Sequence, residues 1–250
     1  MTDIYATPGA DLSQDIRNDR VGVDIDDAIA GNFEVKMLET LGEAWNQLKG
    51  FKFKCLISIV MAFLVTIAFV FLLAFGLAGL EMAGIQINEV GEQIVFQIVF
   101  TLLTMPMGMA FTIMGIRHAQ NKQVSSGEVF RHFGSMWSLL LTYIIMYLMI
   151  IIGTFLLILP GIYLMYAYMF AMPLVVEKKM GAWQALETSR RAVTKVWFRF
   201  FGFIWLLTLI NMIAMIPLGL GWIWTIPWSV LAFAMVYIKM FGAEAHTLAD

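Results

Sequence analysis

The residues of this sequence that could perform chemistry are few, and most of them stand near the ends of long apolar runs. Methionine is the most abundant, with 19 copies in 250 residues, and Met105 and Met109 stand one helical turn apart in the stretch TMPMGMAF. Thioether sulfurs are soft ligands that suit Cu(I), but no cysteine or histidine stands close to this stretch. Methionine also fills irregular space between helices, and Pro106 predicts a kink here. We therefore favour a packing role for these methionines over a copper site.

Nucleophiles, general bases and metal ligands follow no recognisable catalytic or metal-binding pattern. The three histidines, His118, His132 and His246, do not have the spacing of a zinc site, and Ser189 has no general base beside it in the sequence. The chain contains no nucleophile elbow, no phosphate-binding glycine loop and no HExxH motif. Cys55 is the only cysteine, so an intrachain disulfide cannot form. The sequence therefore predicts a protein that is not an enzyme, with no catalytic residue, no metal and no cofactor.

A dense cluster of charge lies between two apolar blocks at residues 177–191, EKKMGAWQALETSRR. On a helix, Glu187 and Arg191 would form a favourable pair four residues apart, while Trp183 and Leu186 share the other side. This pattern is typical of a helix in the membrane interface, with its apolar side in the bilayer and its bases directed to lipid headgroups. The predicted headgroup-binding residues are Lys178, Lys179, Arg190, Arg191 and Lys195. The alternative is that these bases only mark the cytoplasmic side and bind no specific ligand.

The composition shows which solvent surrounds the chain. Hydrophobic residues make up 60% of it and charged residues only 14%, and the mean hydropathy is +0.80. A soluble domain typically has about 25% charged residues, so most of this chain must be in contact with lipid. The net charge of −2 gives no general attraction to nucleic acid. Six apolar segments approach or exceed the length of about 20 residues that a membrane crossing needs. They are residues 55–80, 93–116, 137–159, 161–176, 197–216 and 221–241.

The connections between these segments predict their arrangement. Pro160 and Gly161 separate the third and fourth segments, which should therefore form a tight helical hairpin. Three glycine-led stretches, LGEAWNQLKGF, SGEVFRHFGSMW and MGAWQALETSRRAV, precede the first, third and fifth segments, and each has the pattern of an amphipathic helix. The predicted fold is an all-α integral membrane protein with six transmembrane helices arranged as three hairpins, each preceded by a cytoplasmic amphipathic helix.

Basic residues predict which ends of the helices face the cytoplasm. The alternate connections at residues 81–92, 160–161 and 217–221 contain no lysine or arginine, so all 16 bases fall on the other side. Trp222, Trp224 and Trp228 would then anchor the last helix at or near the outer interface. An even number of helices with both termini in the cytoplasm is the simple scheme that gives this distribution.

The first part of the chain has a different composition from the rest. Residues 1–32 are rich in Asp and Gly and have no sustained apolar period. They predict a flexible acidic tail before a membrane domain over residues 33–250. The first 20 residues do not have the pattern of a secretory signal.

Gln97 and Asn211 are the main polar side chains within the apolar runs. Such side chains usually form hydrogen bonds between helices, and we favour this role. The alternative is that they line a cavity, with which the kinks predicted at Pro106, Pro173, Pro217 and Pro227 are compatible. No carboxylate stands near the centre of a segment, which argues against a transporter coupled to protons or sodium.

One stretch resembles a known family. Residues 159–193, LPGIYLMYAYMFAMPLVVEKKMGAWQALETSRRAV, are similar to a pattern in uncharacterised bacterial six-helix inner-membrane proteins of the YciC type. More distantly, they resemble the membrane domain of some bacterial glycerophosphodiester phosphodiesterases. The shared features include Pro160-Gly161, a late Pro173 and an acid at Glu177. The resemblance implies a multi-pass protein of the bacterial inner membrane. It implies no catalytic residue, because the chemistry of the phosphodiesterases belongs to a separate soluble domain.

These observations predict a non-enzymatic inner-membrane protein with both termini in the cytoplasm. We expect a role in envelope or lipid homeostasis, or in scaffolding, through interfacial helices that bind anionic lipid headgroups. A transporter, channel or lipid-translocating protein with a cavity lined by kinked helices is the alternative. The expected partners are membrane lipids and a membrane protein or a second copy of this chain, and not nucleic acid.

Overall fold

The computed structural model describes residues 20–85 and 87–249, and the regular secondary structure of this part of the chain is helical apart from one two-residue strand pairing. Arg20–Val21 (β1) pairs antiparallel with Ala243–Glu244 (β2). Short 3-10 helices occupy Ser126–Phe130 and Phe133–Ser135. The α-helices are α1 Ile25–Ala30, α2 Met37–Gln47, α3 Phe51–Met82, α4 Glu89–Ala119, α5 Met136–Leu156, α6 Ile158–Ala167, α7 Ala171–Glu177, α8 Ala182–Met215, α9 Trp222–Phe241 and α10 Ala245–Leu248.

The prediction of a multi-pass membrane protein is confirmed. Among the described residues, six helical segments are long and apolar enough to cross a membrane, and they are Phe51–Met82, Glu89–Ala119, Ser126–Leu156, Ile158–Glu177, Ala182–Met215 and Trp222–Phe241. Helix α3 has no buried residue after Ser58, and Met82 at its end is 90% exposed. Apolar surface on this scale is unfavourable in water, at about 25 cal/mol per Å², so lipid must cover it.

The turn between the third and fourth segments lies three residues earlier than the sequence predicts. Leu157 is extended (φ −161°, ψ 142°) and separates α5 from α6, so Pro160 lies in the first turn of α6. Proline is tolerated there because the first N–H groups of a helix have no intrahelical partner. The two helices approach closely at Gly161, where a Cβ atom would overlap Thr154 Oγ1 and lie 2.8 Å from Thr154 Cα.

The fourth segment is two short helices rather than one. Helix α6 ends at Ala167 and α7 begins at Ala171. Pro173 explains the break, because proline donates no hydrogen bond and its ring would clash with the carbonyl of Met169 four residues earlier. Phe170, between the two helices, is buried against the rings of Phe200 and Phe241.

The three stretches predicted as amphipathic helices adopt three different structures. The first forms α2, as a separate helix ahead of α3. The second forms the two 3-10 helices before α5. The third is continuous with the fifth segment in α8, and only Val196 departs from helical geometry (φ −127°, ψ 17°). Val196 thus divides α8 into a charged first half and an apolar second half.

Residues 20–32 are packed against the rest of the protein, whereas the predicted tail would leave them loose. Asp24 Oδ1 accepts a hydrogen bond from the N–H of Ile25 at 2.6 Å and caps α1. Ala28 in α1 is fully buried. Gly22 lies against the backbone of Gly242, which a Cβ atom would approach to 3.0 Å. The remainder of the predicted tail, residues 1–19, lies outside the described residues.

Lys52 and Trp224 are unexpectedly close. The charge distribution predicts Lys52 on the cytoplasmic side and Trp224 at the outer interface. In the structure the Lys52 ammonium lies 4.8 Å from the centroid of the Trp224 ring, within the range of a cation–π contact. The beginnings of α3 and α9 are therefore near each other, and the sidedness of the loops stays a prediction.

Candidate functional site

Lys178 is not available to lipid headgroups, and its prediction as a headgroup-binding residue is wrong. Its side chain is 2% exposed, and its Nζ lies 3.0 Å from Glu244 Oε1 and 3.7 Å from Glu177 Oε2. Sequence spacing could not show this, because Glu244 follows Lys178 by 66 residues. The chain turns at the end of α7, so that Lys178 faces inward while the next residue, Lys179, is exposed.

Lys178 belongs to a buried charge cluster that also contains Glu177, Tyr237 and Glu244. Glu177 is 0% exposed. Its Oε2 accepts a hydrogen bond from the Tyr237 hydroxyl at 2.8 Å, and its Oε1 accepts one from the N–H of Glu244 at 2.6 Å. A buried carboxylate needs such partners because burial removes its hydration. The cluster joins α7, α9 and β2, and this satisfied geometry indicates a structural role.

Arg190 and Arg191 share one acid. Arg190 donates to both Glu187 oxygens, at 2.8 and 2.7 Å, and Arg191 Nε donates to Glu187 Oε1 at 2.6 Å. The predicted pair between Glu187 and Arg191 is therefore confirmed. Both arginines remain partly exposed. One carboxylate between two guanidinium groups leaves a net positive charge at this surface.

Lys179 and Lys195 are exposed, and within the described part of the chain neither lies within 4 Å of a carboxylate. Lys179 has a left-handed backbone (φ 51°), which ends α7 and directs the chain towards α8. The aliphatic stem of Lys195 lies against Gly31, which a Cβ atom would bring to 3.0 Å from Lys195 Cγ. We call Lys179, Arg190, Arg191 and Lys195 the basic surface.

The apolar side of the charged half of α8 packs against protein, and the prediction that it lies in the bilayer is wrong. Leu186 is 1% exposed and packs with Tyr168 and Ala171. Ser189 is fully buried, and its hydroxyl donates to the carbonyl oxygen of Ala167 at 2.6 Å. Trp183, predicted on the same side, is instead 60% exposed. The accessible face of this half-helix is therefore the one that carries the bases.

The chain matched no protein-family model, no curated protein and no solved structure. Its function must accordingly be inferred from the geometry of its own residues.

The two predicted cavity-lining residues lie in different parts of the protein. Gln97 lies in an open groove of about 610 Å³ between α3 and α4, with mostly apolar lining, and its Nε2 donates to Thr101 Oγ1 at 3.2 Å. Asn211 lies between α8 and α9, where its Nδ2 donates to Ser229 Oγ at 2.8 Å. The interhelical hydrogen bond that we favoured is thus confirmed for Asn211. Asn211 Oδ1 and Thr225 Oγ1 are buried and have no hydrogen-bond partner among the described residues.

The predicted candidates for metal chemistry do not converge. Within residues 20–85 and 87–249, no group of three His, Cys, Asp or Glu side chains could hold a metal ion. His118 Nε2 lies 2.9 Å from the carbonyl oxygen of Gln47. Met105 is part of the main hydrophobic core, and Met109 packs against the same core. These positions fit the packing role.

Two ion pairs that the sequence analysis missed involve the acids of the glycine-led stretches. Glu43 Oε2 lies 2.6 Å from Lys239 Nζ near the end of α9. Glu128 Oε2 lies 3.9 Å from Arg117 Nε near the end of α4. The sequence feature that could have indicated these two ion pairs is the Gly-Glu dipeptide that the first two stretches share. In both, the acid contacts a base near the C-terminal end of an apolar helix.

Proposed function

We propose that this protein is a non-enzymatic protein of the bacterial inner membrane that acts in envelope or lipid homeostasis, or as a scaffold, by holding anionic lipid headgroups on its basic surface. The observation that carries the proposal is the excess of accessible base on the charged half of α8. Residues 179–195 contain four bases and one acid, Glu187. Each base near anionic lipid contributes roughly 1 kcal/mol.

The position of the basic surface supports the same proposal. The charged half of α8 continues through Val196 into an apolar half that is exposed along one side, with Trp205 and Leu209 among its exposed residues. A base shortly before a lipid-covered helix lies within reach of headgroups, and long basic side chains extend towards them. Because Lys178 is buried, the predicted set of headgroup-binding residues is reduced to the four residues of the basic surface.

The experiment compares two double variants of similar exposure. R191Q/K195Q removes two accessible bases from the basic surface, and K122Q/R131Q removes two exposed bases from the loop before α5. Native mass spectrometry of the purified proteins reports the retained lipids. We expect R191Q/K195Q to weaken retention of phosphatidylglycerol at least tenfold, since two bases contribute about 2 kcal/mol, and K122Q/R131Q to weaken it less. Equal retention in the wild type and R191Q/K195Q would contradict the proposal.

We also propose three helical hairpins with both termini in the cytoplasm. The even number of apolar segments and the absence of bases from alternate connections support this arrangement. A C55S background removes the only cysteine, and single cysteines then replace Glu89, Ser125 or Leu218. In sealed cells a membrane-impermeant thiol reagent should label E89C and L218C but not S125C. Lys52, predicted on the cytoplasmic side, lies beside Trp224 at the beginning of α9. L218C is therefore the most informative of the three, because Leu218 precedes α9 and its labelling shows which side the beginning of α9 faces. Labelling of S125C without E89C would overturn the arrangement.

A transporter or channel is the second candidate, and one observation favours it. Asn211 Oδ1 and Thr225 Oγ1 are both buried and find no hydrogen-bond partner in the part of the chain that the structure describes. Such atoms are stabilised by water or a polar solute. N211C and T225C in the C55S background test for a water-filled pathway. Reaction of both cysteines with a small water-soluble reagent in intact membranes would support a pathway between α8 and α9. Complete protection of both would remove this candidate.

A further inference from the structure

A groove between α2 and α8 lies outside the basic surface. It has a volume of about 500 Å³ and is lined on one side by residues 35–39 and Leu41, and on the other by Arg199, Gly202, Phe203 and Leu206. Ligand sites in proteins typically occupy about 300–1,000 Å³. Leu38 is largely exposed, so that the groove opens onto surface that lipid can reach.

The contacts of α2 show its direction along α9. Lys239 contacts Thr40 and Glu43, whereas Trp228 Nε1 donates to the carbonyl oxygen of Leu41 at 2.9 Å and its ring lies 6.0 Å from that of Trp45. The N-terminal part of α2 therefore lies towards the C-terminal end of α9, and the two helices run antiparallel.

Helix α8 runs in the same direction as α2. Asn211 bonds to Ser229 in the first half of α9. Phe200 stacks near Phe170, which in turn contacts Phe241 at the last residue of α9. The groove consequently has polarity, because its charged residues lie at one end and Leu41 and Leu206 lie at the other.

The two bases at the polar end of the groove, Lys36 and Arg199, differ in their contacts with carboxylates. Lys36 Nζ lies 3.4 Å from Glu39 and 3.8 Å from Glu34. Arg199 is exposed and lies within 4 Å of no carboxylate among the described residues. A charge at the start of an apolar run is costly without a partner. The planar guanidinium group matches the oxygens of a phosphate group with two parallel hydrogen bonds.

We propose that this groove holds one glycerophospholipid, with its phosphodiester on Arg199 and Lys36 beside it, and with one acyl chain along Phe203 and Leu206. The occupant is a lipid rather than a soluble phosphate because the apolar lining continues from the charged end. This site goes beyond the proposed function, since it is a single groove and shares no residue with the basic surface. The two can therefore fail independently.

The experiment uses the full chain in detergent and two variants that change different parts of the groove. R199Q removes the charge. G202L keeps the charge and fills the groove, and Gly202 has room for a side chain because nothing lies within 4 Å of its Cβ position. R131Q is the control, since it removes an exposed arginine that belongs neither to the groove nor to the basic surface. Native mass spectrometry counts the lipids retained after addition of phosphatidylglycerol, or of diacylglycerol with the same acyl chains.

We expect the wild type and R131Q to hold one phosphatidylglycerol more tightly than any lipid on the basic surface, and to retain little diacylglycerol. R199Q should retain about tenfold less phosphatidylglycerol, in keeping with the loss of a charge-assisted pair of hydrogen bonds, and G202L should also retain less. Unchanged retention in R199Q would overturn the proposal. Retention of diacylglycerol equal to that of phosphatidylglycerol would also overturn it, because the phosphodiester would then not be recognised. Circular dichroism of each variant confirms that it is folded.

Discussion

Lys178 and Lys179 are neighbours in the sequence but lie in opposite environments, and replacing each with glutamine tests the buried charge cluster. K178Q removes the ammonium group that lies 3.0 Å from Glu244 and 3.7 Å from Glu177. Removing one partner of a buried ion pair costs about 3–5 kcal/mol, because the remaining charge stays buried. Since the Glu244 side chain is 15% exposed, we expect the lower end of that range, about 3 kcal/mol.

K179Q is the matched control, because it makes the same chemical change one residue later at an exposed position. Surface substitutions of this kind change the free energy of unfolding by about 0.5 kcal/mol or less. Thermal unfolding of the purified proteins in detergent compares the two. In domains of 150–250 residues about 1 kcal/mol shifts Tm by about 2–4 °C. We therefore expect K178Q to lower Tm by about 6–12 °C and K179Q by less than about 2 °C.

Retained lipid gives a second measurement with the opposite order. Below the Tm of both variants, K179Q should retain less phosphatidylglycerol than the wild type, whereas K178Q should retain as much. Equal Tm values for the two variants would refute the burial of Lys178 in the cluster. A loss of lipid in K178Q alone would restore Lys178 as a headgroup-binding residue and refute the assignment made from the structure.

Two further substitutions test packing and hydrogen bonding in the same thermal assay. Y237F removes the hydroxyl that donates to Glu177 at 2.8 Å. A hydrogen bond to a charged group contributes about 1.5–3 kcal/mol, so Tm should fall by about 3–12 °C; an unchanged Tm would contradict the hydrogen bond. G161A places a Cβ atom 2.8 Å from Thr154 Cα and should lower Tm clearly, because overpacking costs about 1–3 kcal/mol. G76A is its control, since nothing lies within 4 Å of that Cβ position, and it should leave Tm unchanged or slightly higher; equal losses in the two would contradict the close approach.

The spanning segments could be predicted because the signal for them is local. Each apolar run contains its own evidence, and the bounds of the run at 221–241 differ from those of α9 by one residue. The hairpin turn was misplaced for an equally local reason. Pro160 and Gly161 are strong turn signals, but proline is also suited to a first helical turn, and the sequence does not separate these two uses.

The candidate site was only partly predictable, because its decisive contacts join distant residues. The pair between Glu187 and Arg191 follows from spacing alone. The burial of Lys178 depends on Glu244, 66 residues away. Trp183 was predicted on the apolar side of its helix with Leu186 and is 60% exposed, because the surface against which α8 packs decides which residues are buried and helical periodicity does not. Arg199 stands near the start of the segment at residues 197–216, and nothing in its surrounding sequence shows that α2 lies across from it.

The buried charge cluster has a consequence for the order in which this chain is made. Glu177 leaves the ribosome 60 residues before Tyr237 and 67 residues before Glu244, the two groups that donate hydrogen bonds to its carboxylate. At about 5–20 residues per second, the second donor follows after roughly 3–13 s. During this interval α7 cannot hold Glu177 in its final buried position without a large cost. The C-terminal end of the fourth segment must therefore stay in contact with water or headgroups until α9 and β2 have been synthesised.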